Sequence, residues 1–447
     1  MLRIALALSM AVLASAADRP PVNGPIELSL KRAVDIAVAP EGSAKVQLAL
    51  EAQKQAESRS AQSRAALLPD LSAAFTEENL TRNLAALGIR LNVPNLPIPG
   101  LLIPTFVGPF TSLDARVSAT QSVFDFASIR RYQASKVGVT AAKSDVNGAE
   151  EQVAAQVARA YLAAVRADAD VETAKANIAL SEAVQKQAEN QKNAGTGTGI
   201  EITRAKVQLA NDWQRLLVAE NAHRSAGLQL MRAMGLRLDA EIVLTDKLGY
   251  VPVDAMTLEA AKTEAFKERP DYLAQQERES TARLSASATK LERLPSVSAF
   301  GDYGPSGNGF TSAVPTRTVG ISVRLPIFDG GRRDARREES ASQYRAERVK
   351  TNDLKEQIEL DIRLALDSLH SAEDQVKVAK EGLELADNEL TQARRRNDAG
   401  VAIAVEVTDA QTRLERARDN QTAALYNYNL ARIDLAQAMG AVRRMVQ

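Results

Sequence analysis

Ala194-Gly195, then Glu201-Ile202-Thr203-Arg204-Ala205, is the stretch that decides the fold. It returns 205 positions later as Ala399-Gly400, then Glu406-Val407-Thr408-Asp409-Ala410. Met234-Gly235 returns at the same interval as Met439-Gly440. An internal duplication means that the chain is built from two copies of one unit. The interval is far above the roughly 20–50 residues of solenoid repeats, so each unit holds several secondary elements.

A long helix precedes each Ala-Gly pair. From about Ile129 to Asn193 there is no proline, and the only glycines are Gly138 and Gly148. From about Arg332 to Asp398 there is again no proline, and the only glycine is Gly382. At about 1.5 Å per residue each run reaches roughly 100 Å. Helices this long imply a coiled coil or a helical tube.

The packing seam is legible. Alternating 3-4 spacing gives Ile358, Ile362, Ala365, Leu369, Ala372, Val376, Ala379, Leu383, Ala386, Leu390 and Ala393. The first repeat gives Val153, Val157, Ala160, Ala164, Ala167, Val171, Ala174, Ile178 and Ser181. The return helices repeat the device from Ile202 to Ala233 and from Val407 to Ala438. This is coiled-coil periodicity. Frequent alanine lets neighbouring backbones approach closely. Taken locally, the pattern establishes no more than an antiparallel hairpin.

Each repeat also carries a β part. Leu68-Pro69 opens Asp70 to Thr76, and Leu294-Pro295 opens Ser296 to Tyr303. In the partner strands, Leu113, Ala115, Val117 and Ala119 alternate with Asp114, Arg116, Ser118 and Thr120. Val319, Ile321, Val323 and Leu325 alternate with Thr318, Gly320, Ser322 and Arg324. Period-2 alternation gives one apolar and one polar face. It fits a small soluble sheet, and it fits transmembrane strands with lipid on one side and a lumen on the other. Four strands cannot close a membrane barrel, whose minimum is about eight. An open edge in lipid would leave backbone groups unpaired, so membrane strands require oligomerisation. A trimer would supply twelve.

The strand connections differ. The first, about 78–111, includes Asn92-Val93-Pro94-Asn95-Leu96-Pro97-Ile98-Pro99-Gly100; the second runs from Gly304 to Arg317. Proline in these connections disfavours a regular ladder. The first is apolar enough to fold over a barrel mouth or meet a partner, and it equally fits an external loop with neither role.

Composition bounds the chemistry. Residues 1–16 have the form of a signal peptide: Arg3, an apolar run from Ile4 to Leu13, and Ala14-Ser15-Ala16. That run is too short for a membrane-spanning helix, which needs about 20 residues. The chain has no cysteine, which excludes disulfides, thiolate metal sites, cysteine nucleophiles and a lipid-modified N-terminal cysteine. Lys+Arg and Asp+Glu each number 56, leaving no electrostatic footprint for nucleic acid. The two histidines, His223 and His370, are far apart in the sequence and suit structural positions better than a metal site or catalysis. No phosphate-binding glycine-lysine motif is present. The expectation is a protein without catalytic residues, metal or cofactor.

Taken in order, these features resemble the TolC family of outer membrane efflux proteins. The carrying residues are Leu-Pro before the first strand of each half, and Pro326-Ile327-Phe328-Asp329-Gly330-Gly331 leading into the second long helix. The first-half equivalent of that segment is Ser122-Val123-Phe124-Asp125-Phe126-Ala127. The Ala-Gly turns and Glu268-Arg269-Pro270-Asp271 add to the match.

The resemblance implies a mainly α fold with a small β part, built as a duplicated β-β-long helix-helix unit. The first repeat spans 17–254, with strands about 70–77 and 112–123 and a helical hairpin about 126–236. The second spans 255–447, with strands about 296–304 and 317–325 and a hairpin about 331–440. A homotrimer would form a 12-stranded outer-membrane β-barrel continued by a long periplasmic α-helical barrel. Short segments around Ile242 to Val253 and the N-terminal helix would form an equatorial region. The chain ends soon after Met439-Gly440, so that belt is expected to be small.

The implied function is a passive exit duct of a tripartite efflux or type I secretion system, with a periplasmic adaptor and an inner-membrane transporter as partners. The alternative is a soluble periplasmic coiled-coil adaptor or scaffold. By position, Glu201, Glu406 and Asp409 would line the periplasmic entrance. As helix N-terminal acids they also suit the helix dipole. Gly195, Thr196, Gly197 and Thr198, with Gly400, Val401 and Ala402, would be the adaptor-docking tips; glycine is also an ordinary helix stop. Some members latch the entrance with a tyrosine and an arginine. Here those positions hold Asn397 and Ala402, so the same latch is not expected.

Overall fold

The computed structural model describes residues 26–86, 88, 106–253, 256–399, 401–402 and 404–446. The signal sequence, residues 89–105 of the first strand connection, and Gly400 of the second tip lie outside the described residues. The elements in chain order are β1 (Ile26–Leu28), α1 (Leu30–Val38), α2 (Ala44–Ala65), β2 (Asp70–Asn83), β3 (Phe106–Phe124), α3 (Phe126–Asn193) and α4 (Gly199–Met234). There follow β4 (Ile242–Leu244), α5 (Leu258–Glu268), α6 (Pro270–Leu291), β5 (Ser296–Gly307), β6 (Val314–Arg324), α7 (Arg332–Asp398), α8 (Ala404–Met439) and α9 (Val442–Val446).

The residues group into two compact units. One takes the N-terminal part up to Leu50, Asn147–Arg269 and the C-terminal part from Gln357. The other takes Glu51–Val146 and Pro270–Glu356. Each contains parts of both sequence repeats, because α3 and α7 contribute to both.

The second unit holds a four-stranded antiparallel sheet of order β2-β3-β5-β6. Its central pair, β3 with β5, joins the first repeat to the second. Register puts Ala73, Val117 and Tyr303 on one face, with Ala299 opposite Ile321 and Val297 opposite Val323 on that same face. Asp114, Arg116, Ser118, Asp302 and Ser322 lie on the other. On β6 the apolar face is open, with Val319 84% and Ile321 75% exposed.

The ladder extends further than the alternation alone suggested. β2 reaches Asn83, and β5 and β6 take up much of the Gly304–Arg317 connection. Pro305 and Pro315 face each other inside that ladder. Their missing N–H groups are tolerated for position-specific reasons. β6 is an edge strand, and β3–β5 pairing is interrupted around Pro305, between Ser306 and Tyr303. Glycine allows close contact here: a Cβ at Gly304 would lie 2.0 Å from the Ala115 carbonyl oxygen, and one at Gly320 would lie 2.6 Å from Phe300 Cζ.

Both strand-to-helix junctions are capped by an aspartate. Asp125 Oδ1 accepts from the amides of Ala127 (3.0 Å) and Ser128 (3.2 Å), satisfying free donors at the start of α3. Asp329 Oδ2 accepts from the Arg333 amide (3.2 Å) and from Arg333 Nε (2.7 Å). The Arg333 guanidinium beside it holds the Asp329 carboxyl below the ordinary carboxylate range. Gly330 (φ 68°) and Gly331 (φ 85°) make the left-handed turn that other residues resist.

In the first unit the helices pack on the seams read from sequence. Val153, Val157, Ala164, Ile178, Ile358, Ile362, Ala372, Leu390, Ala410 and Leu414 are all buried. One cluster joins Ala386, Leu390 and Ala393 of α7 to Val407, Ala410 and Leu414 of α8. Cutting Leu414 to alanine costs about 2–5 kcal/mol, because a thin seam has little material with which to refill the space. His223 departs from its seam partner: it is exposed, 3.7 Å from Asp168, whereas its repeat mate Tyr428 is buried. A second core gathers α1, α3, α4 and the short parallel pair β1–β4 around Tyr161. The Tyr161 hydroxyl lies 2.9 Å from the Leu28 carbonyl and 2.8 Å from Asp246 Oδ2, one proton shared between two acceptors.

Candidate functional site: the helix tips and the polar layer above them

Two turns connect the long helices to the return helices, and the sequence-predicted site residues gather there. At the first turn, Gly195 takes φ 78° and donates its amide to the Lys192 carbonyl (3.0 Å). Thr196 and Gly197 amides both donate to the Gln191 carbonyl, at 2.9 and 3.0 Å. A Cβ at Gly195 would meet nothing within 4 Å, whereas at Gly197 it would press on Gln191 and Lys192. Gly195 is therefore required by conformation and Gly197 by space.

The three predicted acids sit in different environments. Glu201 Oε2 accepts from the Thr198 amide (2.8 Å), the backward arm of a capping box. Glu406 pairs with Arg396 Nε at 3.3 Å, across the second turn. Asp409 is exposed and forms no ion pair among the described residues. Of the three, Asp409 is the carboxylate with its charge least committed.

Asn397 does work the sequence did not suggest. Its Nδ2 donates to the Ala402 carbonyl (3.0 Å), which fixes the second turn. Its Oδ1 accepts from Gln191 Nε2 (3.2 Å) and Gln187 Nε2 (3.4 Å) on α3. One amide thus ties the second repeat's turn to the first repeat's long helix. Amides at three separated positions carry no sequence signature, and none was available to find this tie.

Above the tips lies a buried polar layer. Gln411 Nε2 donates to Ser181 Oγ (2.7 Å), and Ser181 Oγ donates to Asp212 Oδ2. Gln208 Nε2 donates to Asp212 Oδ1 (3.2 Å) and Glu415 Oε1 (3.4 Å), and Arg215 Nη1 donates to Glu415 Oε2 (2.7 Å). Ser181, Asp212, Gln411 and Glu415 are buried. The signal was present: Ser181 and Asp212 break an apolar seam whose repeat mates are Ala386 and Ala417. A polar group in such a seam fixes register and partner choice. Beside this layer is a cleft of about 690 Å³, whose lining includes Arg166, Asp170, Arg215 and Asp419. Burial pushes the carboxyls of Glu415, Asp170 and Asp419 above their ordinary values, for Glu415 against the opposing pull of Arg215.

Among the described residues, no helix is long and apolar enough to cross a membrane.

Comparison with known proteins gives a consistent result. A family model described as "Outer membrane efflux protein" matches residues 37–236 and 263–441. The chain is 21% identical over 337 residues to outer membrane protein TolC of Vibrio cholerae, covering 74% of this chain and 77% of that protein. It is 21% identical over 327 residues to the alkaline protease secretion protein AprF of Pseudomonas aeruginosa, covering 71% of this chain and 68% of that protein. Among solved structures, the VceC outer membrane protein of Vibrio cholerae superposes with a TM-score of 0.76 at 18% identity, covering 92% of this chain and 96% of that one. The CmeC outer membrane channel of Campylobacter jejuni gives 0.75 at 17% identity, covering 92% and 85%.

Proposed function

Since the chain belongs to the outer membrane efflux protein family, we propose that three copies assemble into one exit duct that passes solutes from a periplasmic pump to the exterior. The protein is an outer-membrane channel whose helices extend into the periplasm. Trimeric closure, the partners and the residue roles are our reading.

The observation that carries the assembly is the sheet. It has an apolar face open to its surroundings, a polar face, and two edges, β2 and β6, with no partner strand among the described residues. Such edges are untenable in hydrocarbon, where each unpaired backbone group costs several kcal/mol. Edge-to-edge pairing of three copies closes twelve strands into a barrel. The helices favour the same assembly. Leu364, Val378 and Leu385 form an exposed apolar stripe at heptad spacing on α7, and Val207, Leu217 and Val218 are exposed on α4. Neighbouring copies would cover both stripes.

Within this reading Glu201, Glu406 and Asp409 each become a ring of three carboxylates around the entrance, which favours cations. The turn residues Gly195 to Thr198, with Val401, Ala402 and Gly400, become the surface offered to a periplasmic adaptor. Transport draws its energy from an inner-membrane transporter, and the chain itself performs no catalysis. Alkaline protease secretion is named for one relative and pyoverdine export for another. The class of cargo here follows the pump. The test is fractionation followed by unheated electrophoresis and planar-bilayer recording. An outer-membrane trimer that conducts supports the duct, and a soluble monomer that does not conduct removes it.

A further inference from the structure

The segment Pro326-Ile327-Phe328 leaves the sheet and enters α7 with its side chains uncovered. Ile327 is 91% exposed and Phe328 87%, more than any other described large apolar residue. They lie just past the end of β6, after the exposed Val323 and Leu325. The turn that presents them is closed by hydrogen bonds. Arg333 bonds Asp329 and also donates from Nη1 to the Pro326 carbonyl (3.2 Å), so both ends of the turn are held.

Arginines follow immediately: Arg332, Arg333, Arg336 and Arg337. Two are spoken for, Arg333 by Asp329 and Arg336 by Glu292 at 3.0 Å. The exposed Arg332 and Arg337 side chains form no ion pair among the described residues.

The duplication supplies an internal control for what a neighbouring copy would do. The equivalent junction, Val123-Phe124, already has its neighbouring strand in place, because β3 pairs with β5 and Phe124 lies opposite Val297. Even so, Val123 stays 48% exposed and Phe124 56%. Adding a strand beside β6 therefore leaves much of Ile327 and Phe328 uncovered. Apolar side chains in that position, followed in sequence by exposed arginines without a close carboxylate contact, match the boundary between acyl chains and anionic headgroups.

We propose that the β6–α7 junction binds anionic phospholipid of the periplasm-facing leaflet, with Ile327 and Phe328 entering the acyl boundary and Arg332 and Arg337 taking the headgroup phosphate. This rests on the sheet being the membrane-spanning part. It adds a lipid class and named contacts to that reading.

The test uses the full-length protein reconstituted into phosphatidylcholine vesicles with or without phosphatidylglycerol. Trimer melting temperature and the lipid retained after detergent extraction are measured. The wild type melts higher with phosphatidylglycerol and retains it. Arg332→Gln with Arg337→Gln assembles normally and loses the rise, retained phosphatidylglycerol falling by about fivefold for each arginine removed. An unchanged rise in the double variant, or no rise in the wild type, overturns the proposal. Failure of Phe328→Ser to trimerise in detergent, while the arginine variant still assembles, also overturns it, because the patch is then a contact between copies. If the wild type forms no membrane trimer in either vesicle, the channel reading itself has failed.

Discussion

Gln191 on α3 and Asn397 on α7 are joined by a 3.2 Å hydrogen bond, and the same Asn397 amide holds the Ala402 carbonyl at 3.0 Å. This is a tie between the tips of two repeats, made within one copy by neutral groups. Each such bond contributes about 0.5–1.5 kcal/mol. Asn397→Leu removes all of them at once, shifting a tied-to-released equilibrium by about tenfold or more. Single-channel recording should show longer or more frequent high-conductance openings, with trimer yield unchanged. Conductance identical to wild type would mean that the tie does not gate passage.

The acids of the proposed entrance should separate by their commitments. Asp409 makes no ion pair among the described residues, while Glu201 caps α4 through the Thr198 amide. Asp409→Asn is expected to reduce cation preference, read as a reversal potential in a salt gradient, more than Glu201→Gln does. Glu201→Ala should instead lower stability by about 0.5–1.5 kcal/mol through the lost bond to the Thr198 amide. Equal reversal potentials for the two variants would contradict this ranking.

Burial places the Glu415 carboxyl above its ordinary value. The folded chain then holds that proton more tightly than the unfolded chain. The associated stability is present below the unfolded pKa and is lost as pH rises through the folded one. Asp170 and Asp419 have the same sign. Melting temperature in detergent should rise as pH falls from neutral toward the ordinary glutamate value. Glu415→Gln should flatten part of that slope, leaving the share of the two aspartates and of Glu151, whose carboxyl is also raised by burial. A slope unaffected by Glu415→Gln would remove Glu415 as its source.

Glycine substitutions in the sheet should divide by space. Gly304→Ala drives a Cβ to 2.0 Å from the Ala115 carbonyl oxygen, whereas at Gly301 the nearest atom would be 3.5 Å away. Gly304→Ala should lose about 1–3 kcal/mol or more and sharply lower the amount of outer-membrane trimer. Gly301→Ala should assemble normally. Normal assembly of both would contradict the β3–β5 register.

Much of the fold was legible because it repeats. The seam from Ile358 to Ala393 is buried as its spacing required, apart from the half-buried Ala379 and Leu383, since 3-4 spacing admits one face only. The strands were visible from Leu113 to Thr120 and from Thr318 to Leu325, where alternation is strict. Their true ends were not, because Pro305 and Pro315 disfavour a strand in general and are tolerated here by an edge and a ladder gap. The tips were found as places through their glycines and acids. The tie through Asn397 was invisible, since it depends on α3 and α7 meeting in space. His223 falls on the 3-4 spacing of its return helix yet is exposed, because spacing alone does not report what a position faces.

Closure of three sheets into one barrel is the central claim, and cross-linking the edges tests it most directly. The chain has no cysteine, so introduced pairs are the only thiols. Cysteines placed along β2, at and around Ser72, and along β6, at and around Ser322, should join one copy to the next in the outer membrane. At the correct register a denaturing gel should show a covalent trimer that collapses to monomer on reduction. Monomer at every register, or linkage confined to a single copy, would contradict the account.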